Sequence, residues 1–186
     1  MELNNIFSKY FIPAKKDSSK IDCGLCKKCK GFCCKSMGCH ISPHDLKEIT
    51  VESIIALIDE SKCISIDWWE GNPITNESTG EEVYFLRIKN KECKIVDPSY
   101  GGTCSILKDS GCPLSYEYRP KGARELIPNK DADCIDGYSK QQCAIDWYPY
   151  KEILEKVCLY YLDKGERTNN FLALFKQMLE GLIDYE

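Results

Sequence analysis

Five of the chain's 13 cysteines fall within twelve residues, between positions 23 and 34. The run reads Cys-Gly-Leu-Cys-Lys-Lys-Cys-Lys-Gly-Phe-Cys-Cys, so its first four cysteines have the spacing C-x2-C-x2-C-x3-C. A loop with this spacing can close thiolates around an iron–sulfur cubane. Few structural needs would place five thiols in one glycine-containing turn. The run therefore predicts a loop that wraps a metal, with these ligands: Cys23, Cys26, Cys29, Cys33 and Cys34.

Length and charge limit the classes of function. At 186 residues the chain fits one domain. Its net charge of −4 and its pI near 5.4 provide no basic surface for nucleic acid. The first residues lack the basic and apolar regions of a signal peptide, and no stretch approaches the roughly 18 apolar residues of a membrane span. We therefore expect a cytoplasmic protein that binds neither nucleic acid nor membrane.

The expected cytosolic location limits the chemistry that the cysteines can have. Cytosolic thiols stay reduced, so dense cysteine there indicates metal or redox chemistry before disulfides. The odd count agrees, because a complete disulfide framework would leave one of the 13 thiols over.

Patterning divides the chain into three regions. Residues 1–22 read as a polar N-terminal arm from which Ile6, Tyr10, Phe11 and Ile12 can dock on the body. Residues 23–150 form the cysteine-cluster metal-binding domain, and residues 151–186 form C-terminal helices packed on the same domain. The prediction is a small α+β domain organised by metal, with an irregular cysteine-rich core, a short β-hairpin and a C-terminal helical hairpin.

Local signals place the elements. Residues 42–45, Ser-Pro-His-Asp, have the N-cap, N1 proline and N3 acid of a helix start, and an apolar helical stripe follows over residues 51–58. Residues 83–88 alternate like a half-buried strand and pair plausibly with residues 93–96. Residues 97–137 are mostly irregular. Apolar stripes then predict a helix over residues 150–164, which ends at Gly165, and a last helix after residue 168.

The irregular middle carries a second group of candidate ligands, Cys104, Cys112 and Cys134. Ligation supplies folding free energy, so a long loop tied at several cysteines need not bury an apolar face to stay ordered. Glycines precede Cys104 and Cys112 closely, and glycine lets backbone N–H groups approach sulfur.

Several motifs together resemble one family. They are Cys26-Lys-Lys-Cys29-Lys-Gly-Phe-Cys33-Cys34 with the Ser-Pro-x-Asp helix start, Gly102-Thr-Cys104-Ser-Ile-Leu, Gly111-Cys112-Pro-Leu, Arg119-Pro120-Lys-Gly-Ala-Arg124-Glu-Leu-Ile-Pro128, Cys134 and Trp147. The chain resembles, over roughly residues 23–150, the YkgJ-type cysteine-cluster proteins, a zinc- or iron-chelating family with a CxxCxxxCC motif. The resemblance implies metal binding without settling the metal.

Two departures from that family matter. Its members usually read R-P-x-x-C-R, whereas this chain has Ala123 at the cysteine position. It also adds Cys23, which could substitute as a ligand or complete the iron–sulfur spacing. The flagellin lysine N-methylases carry a similar cysteine segment, so the resemblance leaves a peptide-modifying enzyme open. No glycine-rich nucleotide loop or nucleophile–base pair supports that alternative.

The remaining candidates have simpler interpretations. We expect Cys63, Cys93, Cys143 and Cys158 to lie in the core, and the sequence leaves Cys39 undecided between ligand and packing. His40 could join a Cys/His zinc site, but histidines at a helix start usually face solvent, as we expect for His40 and His44. Arg119 and Arg124 are either exposed or a clamp on a thiolate cluster. The tryptophans at 68, 69 and 147 are expected in the core or at its rim.

The chemical softness of the candidate thiolate ligands limits which metals can bind. Nearly all-thiolate ligation suits iron–sulfur clusters or zinc. Structural zinc sites usually bring two separated C-x2-4-C knuckles, whereas this chain crowds one run and scatters single cysteines downstream. The sequence therefore favours an iron–sulfur protein, most simply [4Fe–4S], with an electron-transfer or redox-sensing role and an unidentified protein redox partner. The alternatives are a structural zinc interaction module and an accessory or enzymatic domain of a methylase-like system.

Overall fold

A computed structural model describes residues 3–15, 34–35, 38–97, 102–127 and 135–167. The helices are α1 (Leu3–Tyr10), α2 (Val51–Ser61), the single turn α3 (Lys121–Arg124), α4 (Lys140–Trp147) and α5 (Lys151–Asp163). The strands are β1 (Ile64–Glu70), β2 (Glu82–Ile88), β3 (Leu126–Ile127) and β4 (Ile135–Asp136). Short 3-10 turns lie at Pro43–Asp45, Tyr116–Tyr118 and Tyr148–Tyr150. The chain is an α+β domain.

An antiparallel hairpin of β1 and β2 forms the centre of the molecule. The register runs from Ile64 opposite Ile88 to Glu70 opposite Glu82. Isolated bridges extend the hairpin on both sides: His40 pairs with Arg87 beside β2, and Val96 pairs in parallel with Ile66 beside β1. β3 and β4 form a separate small antiparallel pair.

The two faces of the hairpin differ in chemistry because neighbouring residues of a strand point to opposite sides. One face is apolar and packs towards α2 and α5, with Ile64, Ile66, Leu86 and Ile88 all buried. The other face packs towards α4 and contains the buried charged residues Asp67 and Arg87. The hydrophobic core therefore lies on the helix-covered hairpin, and it includes four buried cysteines: Cys63, Cys104, Cys143 and Cys158.

The hairpin that the structure contains differs from the predicted one. Strand β2 was expected to pair with residues 93–96, but it pairs with β1. Val96 instead lies beside β1, where the Ile66 N–H donates to the Ile95 carbonyl at 2.6 Å and the Asp97 N–H donates to the Ile66 carbonyl at 3.0 Å. The sequence Ile-Ser-Ile-Asp-Trp over residues 64–68 has the period-2 alternation of a strand, so the signal for β1 was present.

At the N-terminal end, docking of the arm through Ile6 and Phe11 is confirmed, whereas the predicted helix start at residues 42–45 needs correction. The polar arm begins as helix α1, whose Ile6 and Phe7 are buried together with the following Phe11, while Ile12 is exposed. The Ser-Pro-His-Asp capping box exists, with Ser42 and Asp45 in their predicted roles, but it caps only a 3-10 turn. Helix α2 starts later and is capped by Thr50 through the Ser53 N–H.

The helix predicted before Gly165 is confirmed as α5. Its stripe of Leu154, Val157, Cys158 and Tyr161 is buried, and Gly165 has a φ of 72°, the left-handed conformation that favours glycine after a helix. The predicted last helix, and with it the C-terminal helical hairpin, lies outside the described residues. Among the described helices, none is long and apolar enough to cross a membrane.

Candidate metal centre

The chain segments that carry Cys34, Cys39, Cys104 and Cys112 meet near the end of β2. Residues 38–41 run along one edge of the strand, where the Ile88 N–H donates to the Cys39 carbonyl at 2.9 Å. Directly after β2, residues 89–91 pair with residues 103–105 through the bridge between Asn90 and Cys104. Asn90 is the common point of both pairings, because its side-chain oxygen also accepts the Gly38 N–H at 3.0 Å.

Glycine is required where residues 38–41 approach the strand. A Cβ at Gly38 would lie 1.8 Å from the Ile88 carbonyl oxygen, so any side chain there would push the segment away from β2. Gly122 has a related role on the other side of this segment, where a Cβ would lie 2.8 Å from both the nitrogen and the oxygen of His40. Cys39 is thus held between two close backbone contacts.

Hydrogen bonds bring Cys34 to the same place. The Cys104 N–H donates to the Cys34 carbonyl at 2.8 Å, and the Thr103 hydroxyl donates to the Lys35 carbonyl at 3.4 Å. Cys34 is the last residue of the five-cysteine run. The run therefore ends against the segment that carries Cys104.

Two tight turns follow Cys104 and lead to Cys112. In the first, the Leu107 N–H donates to the Cys104 carbonyl at 3.1 Å. In the second, Lys108 and Gly111 exchange backbone hydrogen bonds of 3.2 and 2.9 Å, and Gly111 has a φ of 99°. These turns bend the chain back so that Cys112 lies near Cys104.

The thiols of Cys39, Cys104 and Cys112 act on one another electrostatically. Burial raises the pKa of the Cys39 thiol well above its usual range, and the neighbouring Cys104 and Cys112 raise it further. Burial also raises the pKa of Cys104, and Cys112 adds to this, while hydrogen bonds from the backbone N–H groups of Ile106 and Leu107 to the sulfur lower it. Backbone N–H groups directed at a cysteine sulfur are a common feature of metal-bound thiolates.

The structure brings together only part of the predicted ligand set. Cys39, Cys104 and Cys112 lie close together, and the backbone of Cys34 is bonded to that of Cys104. That these cysteines bind a metal stays a prediction. The other predicted ligands lie outside the described residues: Cys23, Cys26, Cys29, Cys33 and Cys134. Within the described ranges, no group of three or more His, Cys, Asp or Glu side chains is arranged to hold a metal ion.

All eight cysteines of the described residues carry free thiols. The expected core positions of Cys63, Cys143 and Cys158 are confirmed, since each is buried. Cys93 is only half-buried, contrary to expectation.

The two histidines have different environments. His44 is exposed as predicted. His40 is buried, which corrects the expectation that it faces solvent; its ring packs edge-on against Phe85, and its Nδ1 lies 3.5 Å from the Tyr138 carbonyl oxygen. Burial, assisted by the positive charge of Arg87, lowers the pKa of His40 to about 4. A neutral packed ring fits these surroundings.

The arginines of the Arg-Pro segment bind protein oxygens. Arg124 donates to the buried Asp45 carboxylate at 2.8 Å and to the Arg119 carbonyl at 2.9 Å, and Arg119 Nε donates to the Leu114 carbonyl at 3.1 Å. The same carboxylate accepts the N–H groups of Ser42 and Lys121 at 3.0 and 2.8 Å. These contacts join the segment after the cysteine run to α3.

The tryptophans are core or rim residues as predicted. Trp68 and Trp147 are buried and Trp69 is half-buried; the Trp147 indole N–H donates to the Ile41 carbonyl at 2.8 Å. This bond fixes residues 38–41 from the side of α4.

Comparisons of the chain with models of protein families, with curated proteins and with solved structures find no match.

Proposed function

We propose that the protein binds a metal cluster through cysteine thiolates, most simply an iron–sulfur cluster, and acts in electron transfer or redox sensing. The observation that carries the proposal is the convergence of Cys34, Cys39, Cys104 and Cys112 at the end of β2, where the five-cysteine run ends. The thiols of Cys39, Cys104 and Cys112 are neighbours, the Cys34 backbone is bonded to that of Cys104, and all four thiols are free. Such a set of free thiols suits a soft metal.

The donor set fits such a group. The described cysteines do not complete a site by themselves, so the ligand set would include thiols from the run that contains Cys26, Cys29 and Cys33. Cys104 and Cys112 would close the site from the far side, and the backbone N–H groups of Ile106 and Leu107 would favour the Cys104 thiolate, since they lower its pKa. Cys134 and Cys23 are further candidates. A bound iron–sulfur cluster would supply reversible one-electron chemistry.

The compartment follows from the same chemistry. Closely spaced thiols stay reduced in a reducing environment, so we infer a cytoplasmic protein with a protein as its redox partner. His40 is not part of the proposed site, because its ring is directed at Tyr138 and Phe85.

Anaerobic purification followed by visible absorption and by iron, zinc and acid-labile sulfide analysis tests the proposal. We expect a brown protein with iron and sulfide in comparable amounts. Colourless protein with stoichiometric zinc and no sulfide would replace the redox role with that of a structural zinc module. Binding of S-adenosylmethionine would favour the methylase-like alternative. Protein that contains neither iron nor zinc when isolated without oxygen would contradict metal binding itself.

A further inference from the structure

Arg87 is the last but one residue of β2 and is almost completely buried, with 3% of its surface exposed. Its Nη1 donates to the Asp67 carboxylate at 2.9 Å, across the hairpin. Its Nη2 donates to the carbonyl of Gly38 at 2.9 Å, and Gly38 directly precedes Cys39. The guanidinium therefore connects the charged face of the hairpin to the cysteine-bearing segment.

The position of the guanidinium is fixed from several sides. Asp67 is fully buried, and its carboxylate also accepts the Trp68 N–H at 2.7 Å and the Lys140 ammonium at 3.2 Å. The bridge between His40 and Arg87 fixes the backbone that carries the guanidinium relative to Cys39. A cation held this firmly needs no reorganisation to interact with a nearby anion.

The positive charge of Arg87 acts on two of the neighbouring thiols, Cys39 and Cys104. It acts attractively on the ionised forms of both Cys39 and Cys104, which belong to the two different segments that meet at Asn90. Lys140, on α4, binds the same carboxylate as Arg87 but at its other oxygen: Lys140 contacts Asp67 Oδ1, whereas Arg87 contacts Oδ2.

We propose that Arg87 is a positioning residue of the cysteine site: its buried guanidinium holds the Cys39 segment in place and compensates the negative charge of metal-bound thiolates. This inference rests on the proposed function. Reduction adds negative charge to a thiolate-bound cluster, so a fixed neighbouring cation favours the reduced form and raises the midpoint potential. It also favours retention of the metal.

The test compares the wild-type protein with Arg87→Gln, Arg87→Lys and the matched control Lys140→Gln, all purified anaerobically. The measurements are metal content, the rate of metal loss to a chelator, and the midpoint potential by redox titration. For Arg87→Gln we expect metal binding weakened by about tenfold or more, as is usual for residues that support metal ligands, and a more negative potential. Arg87→Lys keeps the charge and should restore much of the potential. Lys140→Gln removes a cation that binds Asp67 but not the Gly38 carbonyl, so it should change both properties much less than Arg87→Gln does.

A double variant covers the case in which Arg87→Gln does not fold. Asp67→Asn/Arg87→Gln leaves no isolated buried charge and should fold more readily. It should show the same weakened binding and lowered potential. Folded Arg87→Gln or double variant with wild-type metal retention and potential would overturn the inference. If the bound metal is zinc, which has no redox chemistry, metal retention is the one measurement that tests the inference. A wild-type protein without metal would instead overturn the proposed function, and the inference with it.

Discussion

Cys39 and Cys158 are both free cysteines, and the groups around each thiol distinguish them. Cys39 lies near the thiols of Cys104 and Cys112, whereas Cys158 lies on the buried stripe of α5 beside the Tyr84 hydroxyl. Several thiols around one point can share a metal, and one thiol on an apolar helix face packs as a small hydrophobe.

We expect Cys39→Ser to remove most of the bound metal, because a serine hydroxyl is a hard and weakly acidic ligand. Cys104→Ser and Cys112→Ser should behave in the same way. Cys158→Ser is the control: it should keep its metal and lose about 1 kcal/mol of stability for a hydroxyl placed among apolar groups. Metal and sulfide analysis, with denaturant unfolding, checks all four variants. Metal lost from Cys158→Ser but kept in Cys39→Ser would place the site elsewhere.

His40 predicts a pH dependence of stability. Its pKa is about 4 in the folded protein and about 6.5 in a model peptide, so the folded state disfavours the charged ring. The unfolded chain binds a proton first as the pH falls. Stability is therefore complete above about pH 6.5 and declines towards pH 4, by about 3 kcal/mol at the limit.

Urea unfolding of the wild type and of His40→Gln at several pH values between 4 and 7.5 measures this contribution. Burial raises the pKa of Asp45 and Asp67, which acts in the opposite direction, but these contributions cancel in the difference between the two proteins. The difference should narrow from pH 7 to pH 4 as the wild type loses stability. A constant difference would show that His40 is not held neutral.

At the scale of elements, the segment after Cys104 has little apolar support. Over residues 102–126 three apolar side chains are buried, Cys104, Leu114 and Pro120, whereas the shorter α5 buries four, Leu154, Val157, Cys158 and Tyr161. The segment depends on turns, on contacts with Asn4 and Asp45, and on its cysteines. Metal ligation at Cys104 and Cys112 would supply folding free energy that apolar burial does not provide in this segment.

Hydrogen exchange should therefore distinguish the two elements. In protein stripped of metal, the amides of residues 102–127 should lose most of their protection, while those of α5 keep theirs. The loaded protein, measured under the same conditions, is the reference. Equal protection of residues 102–127 with and without metal would mean that packing and hydrogen bonds alone order the segment.

The same elements show what the sequence could predict. The apolar stripes of α2 and α5 determined those helices correctly because a 3.6-residue period leaves few alternatives. The partner of β2 was wrong, because a half-buried strand identifies its own face but not the chain that lies beside it. Ser42 and Asp45 formed the expected capping box, yet the buried carboxylate is also used by Lys121 and Arg124, a tertiary requirement that local sequence does not contain.

The candidate site depends more on tertiary structure than the helices do. The motif spacing and the resemblance named Cys34, Cys104 and Cys112 as candidate ligands, and their ligation stays a prediction. The position of Cys39 did not follow from the sequence, because it depends on the pairing of residues 38–41 with β2 and on the Asn90 side chain. Likewise, the sequence shows Arg87 only as a charged residue in a predicted strand. Its proposed role depends on its contacts with Asp67 and the Gly38 carbonyl, which only the structure shows.

At the scale of the whole molecule, an apolar core exists apart from the cysteines. Helices α2, α4 and α5 pack on the hairpin, α1 packs on α2, and Phe7, Phe85 and Trp147 are fully buried within this core. A small zinc finger without its metal has no such core and unfolds. We therefore expect removal of metal to destabilise this protein without unfolding it.

Chelation followed by thermal unfolding tests this expectation. Metal binds the folded state preferentially, so the stripped protein should melt at a lower temperature. Its far-UV circular dichroism should remain close to that of the loaded protein, because helices α1 to α5 contain none of the predicted ligands. Trp147 reports on the core directly: its indole N–H is bonded to the Ile41 carbonyl, and its fluorescence should stay that of a buried indole after chelation. A stripped protein with the circular dichroism and red-shifted fluorescence of an unfolded chain would show that the core cannot form alone, and that metal organises the whole domain as the cysteine content first indicated.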